Sequence, residues 1–597
     1  MTGRPMRALS LTRSLHRLSA PRLLTLFAVS ALWMMPAPGM TQELDPNGSG
    51  TWRQPGRNTG VEREELPPTS GAEERARGVI REELDPVMAT DGSGLPYEMW
   101  SGLAPEQLAE SIAQLTLPPR SPALNALWRR VIASDTSAGS GGPARFTALR
   151  VEALDQSGLI DEAAAVLAKA QAGSSDPLLM ALTARSEIGL GNTERGCEIG
   201  RGLLAVQSGL PKPIQADAML INGYCAAQRG DSEGAALQAS LLRDLDLAGL
   251  AGVDMLDAVA AGIAPKIPPG AKLSLLDYRI ASLKGGLDRA QLVASATPAL
   301  LAGLAHDPRT TPDVRLAAGE AAAALNIISA ADLAQLYRAS GAGGDAGTIE
   351  RAGLFNSVER EQTPLRKARH IRAFLDEARR AGIYWTALQT MAGPTQDLAP
   401  EPEIGWFAET AIEINLASGN FEGVRRWAQL GGSAGAPSPN GGQPLAHWLA
   451  LADIADPSHR SGQGPGAGQS LGSIESMALH GRFDPALLHR LATVLDALDM
   501  SVPLPLWDLA SRSPQPSNGH LPDTGVLSQL AEASKKKEFG RTVLLVLRTI
   551  GPSGAEGAHM IALGDSIRAL KRAGLEAEAH QLALEGLFGA WPRAVSQ

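Results

Sequence analysis

The stretch "GLIDEAAAVLAKA", residues 158–170, decides the fold class. A glycine leads two acids and then a run of small and apolar residues. Counted from Gly158, Ala163 lies five residues on, Leu167 nine and Ala170 twelve. The same count from Gly191 reaches Gly196, Gly200 and Leu203, and from Gly230 it reaches Ala235, Ala239 and Leu242. The three glycines are 33 and 39 residues apart. Steps of four and three keep these side chains on one helix face. Small residues there let a neighbouring helix come close, and the glycine supplies the left-handed turn that ends the preceding helix. The stretch is therefore one unit of a repeated helical hairpin rather than a catalytic loop or a membrane helix. The pattern recurs around Gly419 (Val424, Ala428) and Gly574 (Ala579, Ala583, Gly586).

Composition agrees. The chain has 597 residues, 44% apolar, 20% charged and only 4% aromatic, and Ala and Leu dominate. Those residues lose little on entering a helix, whereas sheets favour β-branched and aromatic residues. The length exceeds one ordinary core and calls for several domains or an array. The spacing after each glycine resembles the tetratricopeptide repeat, most closely over residues 140–250. The chain is also similar to large secreted helical-repeat proteins of Gram-negative bacteria. The resemblance implies an all-α fold of tetratricopeptide-like hairpins stacked as an α-solenoid, and it brings no site with it.

The first residues read as a secretory leader. Arg4, Arg7, Arg13, Arg17 and Arg22 precede "LLTLFAVSALWMM", 13 small or apolar residues, and Ala37-Pro38-Gly39 forms a small-residue cleavage site. That order describes a signal peptide over 1–39, with an uncleaved anchor as the alternative. The apolar run is shorter than the roughly 20 residues that cross a bilayer. No later stretch is long and apolar enough, so no transmembrane segment is expected after cleavage. The full chain carries a net charge of −9, and losing the leader's five arginines leaves −14. An acidic surface argues against nucleic acid as a partner.

Residues 40–95 are rich in Pro, Gly, Glu and Ser and are expected to form a disordered tether. Helical pattern begins at "LPYEMWSGLAPEQLAESIAQL", with Leu108, Ile112 and Leu115 on one stripe. Ser121 is a candidate N-cap before Pro122, and Ser329 with Asp332 forms a capping box. N-terminal repeats are assigned to 96–265 and a middle helical-repeat region to 266–455. A flexible linker at 456–470 precedes a C-terminal helical region at 471–597. "AGAPSPNGGQ" and "HRSGQGPGAGQS" are the flexible breaks.

Candidate chemistry is sparse. The two cysteines, Cys197 and Cys225, fall in helices of successive units that should pack together. In an oxidising compartment they form either a disulfide or a pair of buried thiols. No histidine pair has metal-ligand spacing, and no motif implies a cofactor. His447 and His580 read as ordinary packing or surface residues. "SKKK" (534–537) reads as a solvated charge cluster. Arg366, Lys367, Arg369, Arg372, Arg379 and Arg380 read as an exposed helix face. Glu475-Ser476 resembles the catalytic Glu-Ser of lytic transglycosylases that carry a helical superhelix, but the family's downstream glycine-rich segment is absent. The expectation is a periplasmic or secreted, non-enzymatic scaffold that holds another envelope protein or peptide. The alternative is a peptidoglycan-acting envelope enzyme of lytic-transglycosylase-like organisation.

Overall fold

The computed structural model describes residue 88 and residues 94–136, 142–171, 175–206, 209–245, 250–340, 346–433, 445–458 and 469–593. The leader at 1–39, nearly all of the tether at 40–95, and the core of both flexible breaks lie outside the described residues. Among the described residues there are 29 α-helices and no strand, only isolated bridges such as Leu273 with Ala296. None of these helices is long and apolar enough to cross a membrane.

The glycine register holds in three dimensions. Helices Pro143–Gln156 and Ile160–Gln171 turn at Gly158, Pro177–Leu190 and Thr193–Leu203 at Gly191, and Lys212–Gln228 and Ser232–Asp244 at Gly230. All three glycines are left-handed, with φ of 75°, 89° and 82°. Gly419 and Gly574 turn two later hairpins in the same way. The small residues face the partner helix. Ala235, Ala239, Ala579 and Ala583 are fully buried, and a Cβ on Gly196 would stand 2.5 Å from Ile188 Cγ1. Proline opens many helices at their first turn, where its missing N–H costs nothing. Ser121 caps the helix Pro122–Ala133 by accepting from Leu124 N, and Ser329 and Asp332 form the expected box.

A buried charge runs through the first hairpins. Arg185 on one first helix reaches Glu152 on the preceding one and Asp217 on the next, both at 2.8 Å. Burial raises the carboxyls of Asp155 and Asp217, and Arg185 pulls them back.

An open solenoid would end with its first and last helices far apart, its inner surface free. This chain folds back instead. Arg279 donates twice to Gly189 O, at 3.0 and 2.9 Å, so the middle region packs on the second hairpin. Asn326 donates to Arg120 O at 2.9 Å, and Arg120 returns a bond to Ala324 O at 3.0 Å. Gly540 N donates to Met99 O at 3.0 Å, and Arg130 pairs with Glu578 at 2.6 Å. The first described helices thus rest on the last ones. The helix Ala446–Ala455 packs both on Gln469–Leu479 and on Glu576–Phe588.

The basic row on the helix Pro364–Arg380 is not a uniformly exposed face. Lys367 is buried and bonds Asp397 at 2.9 Å, because the segment Ala392–Gln396 folds over it. Arg379 lies over the Tyr384 ring, 4.0 Å from its centroid, and Arg372 reaches Asp376 and Thr410.

Candidate functional site

The site grows from the closure of the chain. The helix Glu576–Phe588 is buried almost all round, as the last helix of an array must be when the first helices lie on it. One carboxyl, Glu585, is carried into that interior. It meets the N-terminus of Pro122–Ala133, where backbone N–H groups have no partner within their own helix. Ala123 N donates to Glu585 Oε1 at 2.6 Å, and the Ser121 hydroxyl donates to Oε2. Burial pushes the Glu585 carboxyl up to about 7, while the bonds from Ser121 and Ala123 pull it down. No cation pairs with it among the described residues.

Beside Glu585 lies a cavity of about 260 Å³. Five separated segments of the chain wall it: Arg120–Pro122, the corners at Ala323–Asn326 and Gly382–Thr386, Ser553–Glu556, and the end of the last helix. Trp385 and Phe588 meet edge to face in its wall, with centroids 5.2 Å apart at 87°. The Trp385 indole N–H is buried without a hydrogen-bond partner among the described residues. A larger groove of about 380 Å³ runs between Pro105–Ala113 and Phe539–Ile550. Its Arg541 already pairs with Glu538 at 3.0 Å, whereas the smaller cavity is lined by the buried Glu585. The smaller cavity is therefore the better candidate site.

Chemically, Ser121 and Glu585 share one proton in a buried hydrogen bond. The Ser121 hydroxyl is engaged twice, accepting from Leu124 N and donating to the carboxyl. A protonated Glu585 can reverse the second bond and donate to Ser121 Oγ without losing the bond from Ala123.

The residues singled out in the sequence lie elsewhere. Cys197 and Cys225 come together at disulfide distance, with Cα atoms 5.7 Å apart, inside the range that permits a bridge. They join Thr193–Leu203 to Lys212–Gln228. Glu475 is half-buried on Gln469–Leu479 and lines neither the cavity nor the groove. His447 Nε2 meets Pro592 O at 2.8 Å, and His580 Nδ1 meets Ile454 O at 2.6 Å. Burial lowers both histidines, as expected of packing residues. Ser534 of "SKKK" is buried and bonds Ala531 O, while Lys536 pairs with Glu532 at 2.7 Å. No group of three or more His, Cys, Asp or Glu that could hold a metal occurs among the described residues.

Sequence reasoning missed Glu585, Trp385 and Arg120. The signal for Glu585 was present: it is a lone acid inside "LALEGLFGAW". Nothing local marks Trp385 or Arg120, because the contacts that matter are with chain more than 200 residues away. No protein-family model, curated protein or solved structure matches this chain.

Proposed function

We propose that the protein is a non-catalytic binding scaffold of the cell envelope, exported to the periplasm or beyond, that holds a partner protein or peptide on its outer surface. The supporting observation is a row of leucines on the helix Ser232–Asp244. Leu237 and Leu241, and Leu245 just after the helix, stand four residues apart, on one stripe, and are 57%, 38% and 45% exposed. Leu204 and Val206, at the end of the preceding hairpin, are exposed as well. Exposed apolar residues in a row, rather than singly, are a mark of an interaction surface. A partner helix with apolar residues at the same spacing would cover them. The cysteine pair at disulfide distance joins these two hairpins and would hold the surface rigid, and it suits an oxidising compartment.

In-cell photo-crosslinking tests the reading. A photo-reactive residue at position 241 should give one discrete adduct that Leu237→Glu abolishes, while the same probe at exposed Lys535 gives none. An adduct pattern shared by both positions, or none at 241, would sink it.

A further inference from the structure

The cavity beside Glu585 has a chemistry that the scaffold reading does not use. It is smaller than the roughly 300–1,000 Å³ of drug-sized ligand sites, so it suits a compact molecule. Its deepest charged group is a buried carboxyl. Glu585 accepts one bond at each oxygen, from Ala123 N and from the Ser121 hydroxyl, and a carboxylate has about four acceptor positions. Capacity is therefore left for further donors, and no cation of the protein supplies them among the described residues. A buried carboxylate without a cation is unfavourable, and an entering positive charge would relieve it. Glu556 adds a second carboxyl to the wall. The one cationic side chain among the described residues lining the cavity, Arg120, is turned to Ala324 O. The rings of Trp385 and Phe588 complete the wall, and aromatic faces attract organic cations.

We infer that this cavity binds a small organic ammonium compound, its nitrogen on the Glu585 carboxylate and its carbon chain against Trp385 and Phe588. A metal ion is the poorer fit, because only two carboxylates line the wall and no group of three or more His, Cys, Asp or Glu occurs among the described residues. An anion is a poorer fit still, facing two carboxyls. The site is independent of the leucine row on Ser232–Asp244, so failure of either proposal leaves the other standing.

Binding would draw on the proton that burial keeps on Glu585. With a carboxyl near 7, the free site at pH 7 is about half protonated. An ammonium ion favours the ionised form and would expel that proton. Occupation should therefore release roughly half a proton at pH 7, and almost none at pH 9.

Titration calorimetry of the full exported chain with n-propylammonium, n-propanol and propionate tests this. Saturable heat is expected from propylammonium alone. At pH 7 its heat should differ between buffers of unequal ionisation enthalpy by the equivalent of roughly half a proton. Glu585→Gln should weaken propylammonium at least ten-fold, and Glu556→Gln by a smaller factor. Equal binding of propanol, no saturable heat from propylammonium, or heat that does not depend on buffer at pH 7 would overturn the assignment. If Glu585→Gln does not fold, the buffer dependence of the unaltered protein decides alone.

Discussion

Glu585 on the last helix and Ser121 at the cap of an early one share a buried hydrogen bond across 464 residues of chain. The bond makes the C-terminal helix part of the cap of Pro122–Ala133. Ser121 satisfies Leu124 N and Glu585 satisfies Ala123 N, so two of that helix's orphan N–H groups depend on residues at opposite ends of the protein. The same junction holds the proposed cavity, which makes the closure of the array and the occupancy of the site one structural question.

Stability should depend on pH through this carboxyl. Glu585 has an ordinary value of 4.5 unfolded and is pushed up to about 7 by burial. Its contribution is thus fully present below about pH 4.5 and is lost as pH rises through 7, because the folded chain holds the proton more tightly. The difference corresponds to about 3 kcal/mol. Glu585→Gln keeps an acceptor for Ala123 N and a donor for Ser121 Oγ, and removes the charge. Melting curves of both proteins from pH 4.5 to 8.5 should diverge, with the variant gaining on the parent as pH rises. Parallel curves would mean that the carboxyl is solvated and the junction looser than described.

The middle region has its own buried charge. Arg351 donates to both oxygens of Glu320, with Nε at 2.7 Å from Oε1, and the Tyr337 hydroxyl and Thr348 Oγ1 donate to the same carboxylate at 2.8 and 3.1 Å. Burial beside Glu320 holds the Tyr337 phenol well above its ordinary range. Arg351→Leu leaves a carboxylate buried without its cation and should cost about 3–5 kcal/mol. Glu320→Met with Arg351→Leu removes both charges and should recover much of that loss. The two melting temperatures, compared directly, check the claim.

What the sequence made legible was local. Gly158, Gly191 and Gly230 announce their turns because a left-handed residue needs glycine wherever the chain goes next, and Ser121 and Ser329 announce caps because the capping bond spans three residues. The cysteine pair could be placed because the hairpin register carries from one unit to the next. The closure could not be read. Arg279 on Gly189 O, Asn326 on Arg120 O and Glu585 on Ala123 N join segments whose separation leaves no periodic trace. For the same reason Lys367 reads as solvated in sequence and is buried in the fold, covered by a segment 30 residues on.

The cysteine pair closes a loop of 28 residues. Chain entropy values such a bridge at roughly 3–4 kcal/mol. The protein, purified and unfolded without reductant, should take up no thiol label, and should take up two after reduction. Cys225→Ala should lower the melting temperature and increase protease cleavage between residues 191 and 230. Two labelled thiols in the unreduced protein would mean that the hairpins are held by packing alone.

Gly158 and Gly230 separate two costs that usually come together. Both are left-handed hairpin turns, with φ of 75° and 82°, so alanine at either is strained by about 1–2 kcal/mol. Their surroundings differ. A Cβ on Gly230 would meet no described residue within 4 Å, whereas one on Gly158 would stand 2.9 Å from both Pro298 O and Ile327 Cγ2. Pro298 and Ile327 belong to the middle region folded back on the first hairpin, and a backbone oxygen cannot swing aside as a side-chain tip can. Gly230→Ala should therefore cost only the turn strain, and Gly158→Ala that strain plus the loosening of the fold-back contact, about 1–3 kcal/mol more if overpacking is the guide. Hydrogen exchange tells the two apart better than melting does. Gly158→Ala should speed exchange in Pro298–His306 and around Ile327, more than 100 residues away, while Gly230→Ala should disturb only its own hairpin. Equal and purely local effects would mean that the middle region does not rest on the first hairpin and that the array is open at this junction.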